Sequence, residues 1–220
     1  MDINDQESRK IGSKQLTFSG VGVSAGIAIG PVHLMERGLL DVPEYSISNI
    51  DAELRRFSQA VAASIKQVTK LHQKASRLSE AASEELTYLL DAHRQMLTES
   101  RLVRGVENRI SRDRLNAEAA VQAELSQIAQ AFSAIEDTYL ASKIQDVREV
   151  SARLVRNLTK AAYQAFSGLT PGSVIIAEEI TPADTALMDP SIVGGFVSTL
   201  GGSEGHTTIM ARSLGLPAVI

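Results

Sequence analysis

Near the end of the chain, GGSEGHTTIMARSLGLP (Gly201–Pro217) sets one histidine where an imidazole can act as a nucleophile. Gly201 and Gly202 permit a sharp turn with positive φ and close backbone approach, which makes them candidate contacts for a bound phosphoryl group. His206 then stands at or just before the first turn of a helix running through Ile209, Met210 and Leu214. Backbone N–H groups and the helix dipole converge there on an anion. A neutral imidazole is a competent nucleophile at pH 7, so the chemistry to expect is a phosphoryl group carried on a ring nitrogen. Arg212, less than two helical turns further on, can reach back toward a phosphate or pair with a carboxylate. The same residues also fit a histidine that merely caps a helix in a glycine-rich turn. That arrangement is the commoner one, and the pattern alone leaves both readings open.

Other chemistries are poorly served. The chain has no Cys, which removes disulfides, thiolate metal sites and a cysteine nucleophile. The four histidines, His33, His72, His93 and His206, lack paired ligand spacing, so no metal site is expected. GVGVSAGIAIG is glycine-rich but lacks a following Gly-Lys-Ser/Thr and is not a P-loop. A net charge of −4 argues against a nucleic-acid binder and leaves room for a basic protein partner. No apolar run is long enough to cross a bilayer, and MDINDQESRK lacks the apolar stretch of a secretory signal. Residues 1–15 read as a solvated tail, and a cytoplasmic location is the expectation.

The elements that must hold His206 come in two kinds. LTFSGVGVSAGIAIGPVHLM (Leu16–Met35) reads as strands and tight turns. From Ser48, a candidate N-cap with Asp51 three residues on, the period becomes helical. Ile50, Leu54, Phe57, Val61, Ile65, Val68, Leu71 and Leu78 form one stripe. This stripe is too short, and too well supplied with helical neighbours, to be read as a coiled coil. Further helices are expected near Ser83–Glu99, through Leu102, Val106 and Ile110, near Asn116–Ile135, and over about Thr138–Ala162. No Pro lies between Pro43 and Pro171, as suits an antiparallel bundle with short connections. After Gly168, SVIIAEEI reads as a strand, TPADTALM as a loop entering a short helix, and GGFVSTL as a strand. The helix of His206 and the start of another strand follow.

Strand-rich ends around a helical block predict a discontinuous α/β domain, residues 16–47 and 163–220, with an all-α bundle, residues 48–162, inserted. The first strands are too few to bury a sheet alone. The last residues, LPAVI, lie inside an apparent strand, and the natural protein is expected to continue.

The wording HTTIMARSLGLPA resembles the phosphohistidine signature of the PEP-utilising enzymes: Enzyme I, pyruvate phosphate dikinase and PEP synthase. IMARSL-x-LPA is most similar to Enzyme I of the bacterial phosphoenolpyruvate phosphotransferase system. Ser19–Val32, Ile144–Leu158 and Ile180–Met188 resemble further stretches of that family in order, so the resemblance covers nearly the whole chain after the tail. It implies an α/β phosphohistidine (swivelling) domain with His206 as the phosphorylated residue. It also implies Thr185 as the threonine whose hydroxyl orients the imidazole, and Arg212 as the arginine of the active-site helix. On its own residues Thr185 would read only as a helix-start threonine.

In Enzyme I the helical domain docks HPr, a small phosphocarrier protein, through its first helical pair. The matching stretch here is near Ser79–Arg101. Its acidic bias, Glu80, Glu84, Glu85, Asp91 and Glu99 relieved by Arg94, would steer a basic partner. Glu84 and Glu85 are candidate contacts, and His93, Met96 and Leu97 a candidate apolar centre. The alternatives are a solvated charged face and, for the apolar residues, bundle core.

The resemblance further implies phosphoenolpyruvate as the phosphoryl source, bound on a carboxy-terminal domain, with Mg2+ serving that step and no cofactor here. It also implies a monomer, because the family dimerises through its other half. Glu204 and Gly205 depart from the polar Thr-Ser pair that commonly precedes the histidine; Glu204 brings negative charge near an imidazole that must carry phosphate. Two rivals stand beside this reading. One is the histidine domain of a dikinase or synthase, which would lack the helical insertion. The other is a non-catalytic helical adaptor.

Overall fold

The computed structural model describes residues 16–35, 42–75, 80–98, 100–133, 138–161, 166–185, 187–200 and 205–220. Gly201, Gly202 and Glu204 therefore lie outside the described residues, as do Glu99 and the tail, 1–15. For Glu85 and His206 only the backbone is described.

Both ends of the chain build one sheet. β1 (Gly22–Ser24) and β2 (Val32–Met35) come first, then β3 (Ser173–Ala177), β4 (Val193–Ser198) and β5 (Ala218–Val219) after the helices. The strand order is β1-β5-β4-β3-β2. β2 through β5 are mutually parallel, and β1 closes the edge antiparallel to β5. Register pairs Val32 with Val174 and Leu34 with Ile176, and further in Ile176 with Val197. Strand alternation then splits the sheet. Ile175, Ala177, Val193 and Phe196 are buried, whereas Val32 and Leu34 are exposed. Gly194 lets β4 pass the turn before β3: a Cβ there would sit 2.7 Å from the Gly172 carbonyl oxygen.

Between β2 and β3 the described residues form five α-helices, α1 (Ile50–Ala75), α2 (Glu80–Leu97), α3 (Arg101–Asn108), α4 (Ala117–Ser133) and α5 (Thr138–Thr159), with a π-helical turn, Arg109–Asp113, after α3. Spacings of three and four make their inner stripes, Phe57, Ala60, Ser64, Val68 and Leu71 on α1 and Val147, Val150, Leu154 and Leu158 on α5. Each large aliphatic side chain so buried contributes about 1.5–3 kcal/mol. The N-cap of α1 is Asn49, one residue later than Ser48: its Oδ1 accepts from the Ala52 N–H at 3.0 Å. Asparagine and serine cap equally well, and the helix starts at Ile50, which selects the residue immediately before it.

A polar network ties α1 to the start of α4. Arg56 donates to Glu53 and to Glu118. Glu53 Oε1 also accepts from the Ala117 N–H at 2.7 Å. Asn116 fastens the preceding loop, donating to the Pro43 carbonyl and accepting from the Tyr45 N–H.

Two short elements complete the fold, α6 (Pro182–Thr185) between β3 and β4, and α7 (His206–Leu214) between β4 and β5. Two apolar clusters form, one in the bundle and one under the sheet. α7 belongs to both: Ile209 and Met210 pack with the bundle cluster, Ala211 and Leu214 with the sheet cluster. Ala183 of α6 also joins the bundle cluster. The segment that carries His206 is thus wedged between the two layers.

Candidate functional site

α7 begins at His206, as its spacing predicts. Gly205 is the N-cap in extended backbone (φ −78°, ψ 167°) and has no side chain with which to cap the helix. Its carbonyl receives the N–H groups of Thr208 and Ile209, at 3.0 and 3.2 Å. The first amides of α7 point toward the segment before it, the geometry that favours an anion. At the other end Gly215 takes the left-handed conformation (φ 65°) that terminates the helix.

The start of α7 is moored to the loop after β3. Thr207 Oγ1 donates to the Ile180 carbonyl at 2.8 Å, and Thr207 is buried. One residue further on, that loop becomes α6 through a reciprocal cap. The N–H and the hydroxyl of Thr181 both donate to Asp184 Oδ2 at 2.8 Å, and the Asp184 N–H donates back to Thr181 Oγ1 at 3.2 Å. This is a capping box with Asp in the usual Glu place and Pro182 at the first helical position. It holds a four-residue helix that could not persist alone. Thr185 ends α6 fully buried; its N–H donates to the Thr181 carbonyl at 3.0 Å, and its hydroxyl lies 3.4 Å from the same oxygen. The elements carrying Thr185 and His206 therefore pack together.

The helical bundle supports this corner. Gln145 of α5 donates to Glu179 at 2.7 Å, just ahead of the capping box. Arg153 of α5 is a largely buried guanidinium. Burial pulls its pKa below the ordinary arginine value, against the opposing pull of the Glu149 and Asp184 carboxylates. Asp184→Ala removes both bonds to Thr181 and one of those carboxylates. It should cost about 1–2 kcal/mol and speed exchange of the Thr181 amide. Urea denaturation and hydrogen exchange read both; unchanged protection at Thr181 would refute the mooring.

Arg212 ties α7 to the edge of the sheet. Six residues after His206, it is rotated about 600° along the helix and shares no face with that position. Its Nε donates to the Val23 carbonyl at 2.9 Å, pinning α7 to β1. It borders a cavity of about 670 Å³ with Gly26, Ala28, Phe196 and Pro217.

On α2 the structure sorts the candidate docking residues by face. Leu86, Leu90, His93 and Leu97, spaced four, three and four apart, are the inner stripe, each at most 1% exposed. His93 and Leu97 are thus bundle core and not surface. His93 Nε2 faces Asp146 Oδ1 of α5 at 3.9 Å, beyond hydrogen-bond range. Met96 is half-buried against the same core, and Glu84 is exposed. The outward stripe is Glu80, Glu84, Tyr88, Asp91 and Gln95, and Tyr88 is 70% exposed. The spacing of four between Glu84 and Tyr88 was readable in the sequence. What hid Tyr88 was that Leu86, Leu89 and Leu90 on either side leave the inner face ambiguous until neighbours choose it. The Thr181–Asp184 capping box was also legible, as T-P-x-D. The Thr207–Ile180 bond had no sequence signal.

A strand-fed helix N-terminus beside a capped threonine, flanked by a helical bundle, defines a class, and comparison with known proteins agrees with it. The family model described as PEP-utilising enzyme, N-terminal, matches residues 19–143, and the one described as PEP-utilising enzyme, mobile domain, matches residues 169–220. The chain belongs to the PEP-utilising enzyme family. Among its relatives is the phosphoenolpyruvate-protein phosphotransferase of Bacillus subtilis (strain 168), 34% identical over 92% of this chain and 35% of that protein. That of Cupriavidus necator is 35% identical over 91% of this chain and 36% of that protein. The chain thus spans about a third of the length of these curated relatives. The solution structure of an Enzyme I (nEIt) protein superposes with a TM-score of 0.71 at 30% identity, covering 92% of this chain and 81% of that one. The N-terminal domain of Enzyme 1 – Nitrogen, 22% identical with a TM-score of 0.65, shares the fold. Among the described residues no helix is long and apolar enough to cross a membrane.

Proposed function

We propose that this chain is the phosphocarrier part of an Enzyme I. The sheet with α6 and α7 acts as one discontinuous domain, residues 16–47 and 163–220, around the helical bundle, residues 48–162. A ring nitrogen of His206 attacks the phosphorus of phosphoenolpyruvate, held on a carboxy-terminal domain. The bond from phosphorus to the bridging oxygen breaks, and the enolate of pyruvate leaves. A histidine nitrogen of HPr, or an HPr-like carrier docked on the bundle, then takes the phosphoryl group from His206. Magnesium serves the first step on the other domain; among the described residues here, no three His, Asp or Glu side chains stand together as a ligand set.

The observation that carries this reading is the packing of α6 on α7, with the bond from Thr207 to Ile180 in the loop just before α6, which supports a corner shared by the Thr185 and His206 segments. Thr185 is proposed to orient the imidazole. Amides at the start of α7, with Gly201 and Gly202, are proposed to meet the phosphoryl oxygens. Catalysis is then mainly positioning and electrostatics. Arg212, whose Nε holds α7 on β1, is proposed to meet the phosphoryl group with its other guanidinium N–H groups.

The test is intact-protein mass after mixing the chain with phosphorylated HPr or its nitrogen-branch counterpart. The expected result is an acid-labile gain of one phosphoryl group, and the carrier that gives it identifies the partner. No gain with either carrier, from folded protein, would overturn the proposal.

A further inference from the structure

We infer that Ser198 and Thr207 are positioning residues for phosphoryl transfer, fastening the chain on both sides of residues 201–204 to one short stretch, residues 178–180; the inference rests on the phosphocarrier reading above. β3 and β4 end side by side: Ala177 and Ser198 are their last residues and pair across the sheet. Ligands of open parallel sheets bind beyond such carboxyl ends. The chain leaves β4 at Ser198 and is anchored at once. The Leu200 N–H donates to the Glu178 carbonyl at 2.7 Å. The buried Ser198 hydroxyl reaches the Leu200 carbonyl at 2.6 Å and the Glu178 carbonyl at 3.1 Å. Thr199 sets a second hydroxyl 3.2 Å from the same Glu178 oxygen. Beyond residues 201–204, Thr207 Oγ1 donates to the Ile180 carbonyl at 2.8 Å.

These bonds give His206 and Thr185 a common reference. Residues 178–180 run directly into the Thr181–Asp184 cap, and that cap sets α6, which ends at Thr185. Thr207 follows His206 in the chain, so its bond fixes the start of α7 against the same stretch. From the bundle, Gln145 holds Glu179, the middle residue, at 2.7 Å. The stretch thus takes bonds from the exit of β4, from α7 and from α5. Apolar packing does not do this for α7, since its core contacts begin only at Ile209 and Met210 and continue through Ala211 and Leu214. Hydroxyls suit the task, because each supplies one short, directional donor. In-line transfer is sensitive to the result: an error of about 1 Å in a reacting group can cost about 10²-fold in rate. Both hydroxyls are committed to main-chain carbonyls, so their effect on the reaction passes through His206 and Thr185.

Loss of either hydroxyl should therefore slow the chemical step and spare docking. Phosphoryl exchange of the full chain with phosphorylated HPr or its nitrogen-branch counterpart, followed at varied carrier concentration, separates the two. Thr207→Val keeps the shape and removes the donor; kcat is expected to fall about 30-fold with the KM for the carrier unchanged. Ser198→Ala should lower kcat about tenfold in the same pattern, and it decides the matter if Thr207→Val does not fold. Thr207→Ser, which keeps the donor, should recover most of the lost rate. The ring nitrogen resonances of His206 should shift in Thr207→Val and return in Thr207→Ser, which a hydroxyl of purely structural value would not bring about. A folded variant that keeps the parental kcat and ring resonances overturns the role of its residue. A Thr207→Ser chain as slow as Thr207→Val does the same for the Thr207 hydroxyl. A parent chain that exchanges with neither carrier overturns the phosphocarrier reading itself.

Discussion

The His206→Ala chain is expected to gain no acid-labile mass from a phosphorylated carrier, where the parent chain gains one phosphoryl group. The exchange rate should fall by about 10⁴-fold or more, since the covalent acceptor itself is gone. The chain has no cysteine to substitute for it. The other histidines are poorly placed: His93 is fully buried, His33 lies on β2 and His72 sits in the last turn of α1. None starts a helix, so none has backbone amides to receive the transferred charge. Alanine is well tolerated in a first helical turn, so the variant should melt within a few degrees of its parent. Loss of labelling with the fold retained assigns the phosphoryl group to this residue. Persistent labelling of His206→Ala would place it elsewhere.

The second large effect concerns stability. Arg56→Ala should destabilise the chain by about 3 kcal/mol, the low end for breaking a buried ion pair. A third of the Arg56 side chain faces solvent, at 32% exposure, which keeps the value low. In a chain of this size that is a fall of about 6–12 °C in Tm. Removing the guanidinium strands Glu53 and Glu118, both nearly buried and both committed to the start of α4.

The effect has a pH signature. Burial by itself raises the pKa of Glu118. Hydrogen bonds from Arg56, its own backbone and Asn116, with the charge of Arg56, outweigh that and hold it below the ordinary value of 4.5. A depressed carboxylate stabilises the fold fully above its unfolded pKa, and that stabilisation is lost as pH falls through the folded value. Melting the parent and Arg56→Ala side by side from neutral to acid pH should therefore show a gap in Tm that is full at pH 7. The gap should narrow below about pH 4.5, as protonation removes what Arg56 was neutralising. A gap that stays constant into acid would mean that Arg56 stabilises by packing alone.

Much of the architecture was legible before any fold was drawn. The stripe Phe57–Val68–Leu71 announced α1 because a helix repeats its inward face every three or four residues whatever it packs against. VIIA and GFVS announced β3 and β4 as short apolar runs bounded by turn residues. Errors came where two local solutions are nearly equal in energy. Ser48 and Asn49 cap equally well, and only the helix start at Ile50 decides between them. α2 carries Leu86, Leu89, Leu90, His93, Met96 and Leu97 over too wide an arc to identify its inner line, so docking surface and bundle core stayed open for His93 and Leu97 until their burial decided for core.

The sequence by itself offered His206 as the candidate phosphate carrier, at a helix start entered through glycine, because local backbone rules and side-chain chemistry suffice to single it out, and it left a mere capping histidine as the alternative. It also determined the alternation of strands, five helices and strands again. The tertiary structure alone decided what surrounds that residue. Thr207 is tied to Ile180, 27 positions away, and Arg212 to Val23, 189 positions away. The second depends on strands from before the helical block joining those after it in one sheet, as β1 pairs with β5 and β2 with β3. Those outcomes are fixed by burial summed over the assembled core, a quantity that no stretch of sequence holds locally.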